Sequence, residues 1–282
     1  MTYFGFLLRF LVIPILLLGM LAWWDRRRGR DLAPALRGQS FWLGLGIMPI
    51  VALIYTTPWD NYLVATHVWW YKPDLVTGFV IGWVPIEEYT FFILQPILTG
   101  LFLLALLRRL PHDPQPAHNP RLRYVSALLV GLLWLVMLTL FFLDYGPTIY
   151  LGLTLGWALP PIIFQLFFGA DILWRHRWVV LAAIVLPTVY LSVADAIAID
   201  GGTWTINPEQ SLNIFLGGVL PIEEAVFFLL TNVLVVLGLT LFCAQESQTR
   251  VPAGLGDKLA KATRLNRTIV ADTTGPSANH DK

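Results

Sequence analysis

The sequence predicts an all-α integral membrane protein with seven transmembrane helices, and three observations predict it. Of 282 residues, 56% are hydrophobic and 13% are charged, about half the charged share of a soluble domain. Seven apolar stretches are each long enough to cross ~30 Å of hydrocarbon, which takes ~20 helical residues. The basic residues alternate from loop to loop, with 17 Lys and Arg on one side and Lys72 alone on the other.

Taken in order, the stretches are about 3–24, 40–57, 78–107, 125–143, 148–170, 178–199 and 211–242. The first lacks a charged leading segment and a small-residue cleavage site, so it reads as a retained helix. The third and seventh run to roughly 30 residues and are expected to tilt or project. Arg26, Arg27, Arg28, Arg30 and Arg37 follow helix 1, Arg108, Arg109, Arg121 and Arg123 follow helix 3, and Arg175 and Arg177 follow helix 5. Six more basic residues follow helix 7, and Arg9 lies within helix 1. The positive-inside rule then places the N-terminus outside and the C-terminus in the cytoplasm of a multi-pass protein of the cell membrane. Pro111–Pro120 reads as a linker, and the polar tail after Ala244 as disordered.

The balance of 19 basic against 18 acidic residues leaves no charged domain to suggest a nucleic-acid partner. One cysteine, Cys243, excludes disulfide frameworks and thiolate metal clusters within one chain. None of the five histidines falls in mid-membrane, so no metal is expected. Gly44-Leu45-Gly46-Ile47-Met48-Pro49 lacks the third glycine of a dinucleotide fingerprint, and no cofactor is expected.

An internal repeat organises the chain. Pro85-Ile86-Glu87-Glu88-Tyr89-Thr90-Phe91-Phe92-Ile93-Leu94 and Pro221-Ile222-Glu223-Glu224-Ala225-Val226-Phe227-Phe228-Leu229-Leu230 share seven of ten residues at an offset of 136 (221 − 85). Asp60 precedes Trp69 by nine residues, as Asp195 precedes Trp204. The chain therefore divides into a first repeat at 1–110, a linker and bridging helix 4 at 111–145, a second repeat at 146–243 and a tail at 244–282. Both units start outside, so an extra crossing must join them. Parallel repeats put function at their interface.

Glu87, Glu88, Glu223 and Glu224 are the candidate catalytic residues. On these boundaries Glu87 lies nine residues into helix 3, about 13 Å along it at ~1.5 Å per residue. Carboxyls at such depth need a reason. Apolar surroundings and a second carboxylate both disfavour ionisation, so one Glu of each pair is expected to hold a proton, as a general acid must. Neighbours on a helix diverge by ~100°, so one Glu of each pair can face the interface while the other faces away. Trp83, Phe91, Phe92, Phe227 and Phe228 lie three to five residues from these acids and are the candidate substrate-binding wall; ring faces stabilise a developing cation. Asp60 and Asp195, read in outer loops or at helix ends, either cap backbone or relay protons. The surrounding Trp and Tyr residues are expected to form the interfacial aromatic belt.

With Pro-x-Glu-Glu twice, Pro58-Trp59-Asp60-Asn61-Tyr62 and Trp69-Trp70-Tyr71, the sequence resembles the membrane-integral lycopene and carotenoid cyclases, which occur as two small subunits or as one fused chain. The resemblance covers roughly residues 3–242. It implies flavin-independent, redox-neutral closure of the ψ-ends of lycopene to β-rings through a carbocation. It also implies a carotenoid substrate, a lipid-bilayer setting and other carotenoid-biosynthesis enzymes as partners. The second copy carries Ala196-Ile197 in place of Asn61-Tyr62, which favours one composite site. Cyclases acting on C50 carotenoids or forming other ring types share this reading. A proton-coupled transporter would also use buried Glu, but with polar residues spread over several spans. A retinal protein needs a membrane lysine, and none is present. A prenyltransferase needs clustered Asp for magnesium, and Asp195 with Asp200 is a poor match.

Overall fold

The computed structural model describes residues 1–110, 118–143 and 146–251. Among these, seven helices are long and apolar enough to cross a membrane. They are α1 Tyr3–Arg27, α2 Phe41–Ala65, α3 Ile86–Leu107, α4 Pro120–Phe142, α5 Ile149–Arg175, α6 Arg177–Asp200 and α7 Ile222–Cys243. The helix count expected from hydropathy holds. A π-helical turn at Leu8–Val12 widens α1, and α5 kinks at Gly169.

Helices α3 and α7 are the most buried and stand at the centre, and α4 packs chiefly on α5. A buried polar clamp ties the two central helices. The Asn232 carbonyl Oδ1 accepts from Gln95 Nε2 at 2.9 Å and from Thr99 Oγ1 at 2.6 Å, while its Nδ2 donates to Thr188 on α6 at 3.1 Å. In hydrocarbon no water is at hand to satisfy these groups, so helices carrying them associate.

Several boundaries differ from the sequence reading. Helices α3 and α7 begin at Ile86 and Ile222, not near 78 and 211. The preceding apolar residues form two hairpins, β2 Val80–Ile81 with β3 Val84–Pro85, and β5 Phe215–Leu216 with β6 Leu220–Pro221. Gly82 at φ +69° and Gly217 at φ +59° make the turns, a conformation that side-chain-bearing residues rarely adopt. Hydropathy cannot separate an apolar hairpin from an apolar helix. Glu87 and Glu88 therefore lie in the first turn of α3, not nine residues in. Both helices have 22 residues, so the expected overlength disappears. Helix α2 continues through Pro58 to Ala65 and carries Asp60 inside the helix. Asn119 caps α4 by accepting from Leu122 N at 3.1 Å, so that helix begins five residues early. The rest of the expected linker, 111–117, lies outside the described residues. So does 252–282 of the tail, but Gln245–Arg250 forms a further helix, α8. Two ion pairs order it: Arg250 to Asp171 at 2.8 Å, and Arg175 to Glu246.

The two ends of the bundle differ. At one, β1 Trp69–Tyr71 pairs antiparallel with β4 Trp204–Ile206 from the other half, Trp70 opposite Thr205. At the other, Arg109 reaches the buried Asp25 at 2.8 Å, and the ion pairs of α8 lie at the same end.

Candidate active site

The N-terminal turns of α3 and α7 project their acids in two directions. Pro85 and Pro221 end the hairpins in extended geometry, and each helix then opens with two Glu residues. Glu87 accepts from the backbone N–H of Thr77 at 2.7 Å, and Glu223 from that of Leu212 at 2.6 Å. Both tie down the loop leading into their own helix. One position on, and ~100° round the axis, Glu88 and Glu224 face a shared chamber under the β1–β4 sheet. Asp60 of α2 and Asp195 of α6 line the same chamber. It has a volume of about 40 Å3.

Each carboxyl has its own partners. Glu88 Oε2 accepts from the Tyr3 hydroxyl at 2.5 Å and the Tyr71 hydroxyl at 3.0 Å. Tyr71 in turn accepts from Trp69 Nε1 at 3.0 Å, so its only proton points at Glu88. Burial, and next the Glu88 carboxyl, hold the Tyr71 phenol well above its ordinary pKa, which keeps it a neutral donor. Glu224 Oε1 accepts from the Tyr150 hydroxyl at 2.8 Å. Asp195 Oδ1 accepts from Trp204 Nε1 at 3.0 Å, and its Oδ2 has no partner among the described residues. Asp60 is 0% exposed, and neither of its oxygens has a partner among the described residues. The difference between the aspartates has a local cause: Tyr71 takes the indole N–H of Trp69, whereas Ile206 stands 135 residues on (206 − 71) and leaves Trp204 to bond Asp195.

Phe91, Phe92, Phe227 and Phe228 line the chamber. Trp59 lies flat on Phe227, with ring centroids 5.7 Å apart and planes at 9°. Trp83 is not part of this wall. It sits at the tip of the β2–β3 hairpin, 65% exposed, where its backbone N–H donates to Asn61 Oδ1 at 2.8 Å.

The structure thus brings together Glu88, Glu224, Asp60, Asp195 and the four phenylalanines. It leaves Glu87, Glu223 and Trp83 outside the chamber. Sequence reasoning missed Tyr3, Tyr71 and Tyr150, and assigned Trp59, Trp69 and Trp204 to an interfacial belt. A signal existed for two of them: Tyr3-Phe4-Gly5 opens helix 1 and Tyr150-Leu151-Gly152 opens helix 5, and each tyrosine meets the glutamate of its own half. Chemically, this is a small chamber with carboxyls able to give and take a proton, walled by rings that tolerate a cation but offer no base.

Comparison with known proteins places the chain among relatives. The family model described as lycopene cyclase matches residues 1–107 and 147–242. A protein named lycopene beta-cyclase from Halobacterium salinarum is 40% identical over 248 residues, covering 86% of this chain and 95% of that relative. A protein named bifunctional lycopene cyclase/phytoene synthase from Podospora anserina is 38% identical over 207 residues. The match covers 71% of this chain and 35% of that relative, so the chain spans about a third of its length. A protein of the same name from Colletotrichum graminicola is 36% identical over 240 residues, covering 82% of this chain and 40% of that relative. No solved structure matches. On the family match and the 40% identity, this chain belongs to the lycopene cyclase family.

Proposed function

We propose that the protein closes the open ends of lycopene to β-rings by acid catalysis, with Glu88, Glu224, Asp60 and Asp195 handling the protons. One observation carries the reading: four carboxyls from four helices and both halves of the chain meet in one aromatic-walled chamber. A carboxylic acid protonates C2 of the terminal double bond. The C5=C6 bond attacks the resulting C1 cation and forms the ring. Loss of the C6 proton to a second carboxylate restores a double bond. One proton enters and one leaves, so no electrons are exchanged overall and the step calls for no redox group.

Asp60, toward which no donor points, is suited to be the acid. Glu88, whose Oε2 takes two phenol donors, is suited to hold negative charge and receive the C6 proton. Phe91, Phe92, Phe227 and Phe228 face the cation during its short life. The matched pairs Tyr3 and Tyr150, Asp60 and Asp195, and Glu88 and Glu224 support two parallel three-helix repeats joined by α4. The arginine-rich loops support an outside N-terminus and a cytoplasmic C-terminus in the cell membrane.

Expression in a bacterium that accumulates lycopene tests the reading by pigment chromatography with mass detection. New pigments of unchanged mass and shorter-wavelength absorption are expected. Unchanged lycopene, with the protein present in the membrane, would refute the activity. Unaltered product from Glu88→Gln and Glu224→Gln would refute the site.

A further inference from the structure

At the sheet end the chamber is closed by Trp69, Tyr71, Trp204 and Ile206. On another border stand Phe91, Phe92 and Phe227, and the same three rings border a second cavity of about 210 Å3. This cleft runs between α2 and α5, with Val51 and Ala52 on one wall and Pro161 on the other. Val51 is 51% and Tyr55 42% exposed, so the cleft opens on the flank of the bundle, where lipid would lie. A stack of rings leads inward from that opening. Tyr55 faces Trp157 at 5.8 Å and 26°, Trp157 faces Trp59 at 4.6 Å and 19°, and Trp59 faces Phe227 at 5.7 Å and 9°. Two hydrogen bonds fix the stack: Tyr55 to the Trp157 carbonyl at 2.8 Å, and Trp59 Nε1 to the Leu153 carbonyl at 3.0 Å.

We propose that this cleft seats the conjugated chain of the carotenoid. One open end then slides sideways from lipid along Tyr55, Trp157, Trp59 and Phe227 into the chamber, one end per visit. The inference rests on the cyclase reading above. A rigid hydrocarbon dissolved in the bilayer gains nothing by passing through water and the β1–β4 sheet. The chamber can take no more than an end group, and the shared phenylalanines must turn to admit it. Flat rings offer a flat polyene stacking area without polar atoms. Size alone does not choose the cleft. A larger groove of about 630 Å3, which includes Gly19, Trp23 and Trp42, shares no lining residue with the chamber.

The test uses the full chain in lipid vesicles containing lycopene. Val51→Trp and Ala52→Phe fill the cleft. Gly19→Trp fills the other groove, where an added Cβ meets nothing within 4 Å. Two quantities are read: the cyclisation rate, and the circular dichroism induced in the visible band of a bound polyene. Both cleft variants are expected to lose the dichroism and to slow roughly tenfold or more, the scale of a misplaced substrate. Gly19→Trp should keep both signals, and Glu88→Gln should keep the dichroism while losing the rate. Val51 stands at the open mouth of the cleft, 51% exposed, so Val51→Trp needs little repacking; Ala52→Phe is read beside its thermal unfolding. Cleft variants with wild-type rate and dichroism would overturn the seat, as would a wild type without induced dichroism. A wild type that binds the polyene without cyclising it would overturn the cyclase reading and leave the seat standing.

Discussion

At the scale of single residues, the adjacent acids of each pair have separate partners and should fail separately. Glu87→Ala removes the acceptor of the Thr77 N–H. Losing that bond at the exposed Thr77 costs about 0.5–1.5 kcal/mol, visible as a lower unfolding temperature with turnover still measurable. Glu88→Gln should do the reverse, keeping the unfolding temperature and abolishing turnover. Equal effects on both quantities would dissolve the distinction. Tyr71→Phe probes the asymmetry between halves. It removes one donor from Glu88 and frees the Trp69 indole to turn toward Asp60, as Trp204 turns to Asp195. Initial rates should fall roughly tenfold to a hundredfold, the range for a bond to a charged group at about 1.5–3 kcal/mol; an unchanged rate would remove Glu88 from the role of charge holder. The glutamate pairs were legible in the sequence because a charged residue in an apolar run stands out. The tyrosines were not, because a tyrosine near a span end looks the same whether it faces lipid headgroups or a carboxyl.

At the scale of elements, the hairpins set where α3 and α7 begin, and the polar clamp holds the central helices together. Asn61 holds the β2–β3 hairpin through Trp83 N–H and through the Tyr89 hydroxyl at 2.9 Å, which itself donates to the Ile81 carbonyl at 2.7 Å. The second half has Ala196 and Ala225 at the matching positions, so both members of the pair are missing together. Asn61→Ala should therefore loosen the first hairpin without affecting the second, read as faster hydrogen exchange confined to residues 78–85. Asn232→Leu breaks three interhelical hydrogen bonds at the centre. At about 0.6 kcal/mol each in a membrane protein, the loss should be about 2 kcal/mol in detergent unfolding, with the chamber chemistry retained. Helix number was legible because length and apolarity fix it. The starts of α3 and α7 were not, since two glycine turns inside an apolar run leave its hydropathy unchanged. Nor was α8, whose polar sequence is ordered by charges on α5 distant in the chain.

At the scale of the whole molecule, the two halves build one chamber rather than two. Glu88 and Glu224 sit with Asp60 and Asp195 in the same space, and the β1–β4 pairing across halves covers it. A substrate with two open ends must then present them in turn. The monocyclic product should appear free in the membrane before the bicyclic one, and added monocyclic carotenoid should be taken up and finished. Bicyclic product formed with no monocyclic stage at early times would require a second site. The two Pro-Ile-Glu-Glu copies were readable in the sequence; that their acids converge depends on how α2, α3, α6 and α7 pack.

In the proposed reaction a ring closes when a protein carboxyl delivers a proton to the polyene and another group takes one away. Running the purified chain with lycopene in deuterated buffer and weighing the product tests it most directly. One deuteron should be gained for every ring formed, and Asp60→Asn should give no product at all. Rings formed without deuterium, or formed at the wild-type rate in that variant, would contradict it.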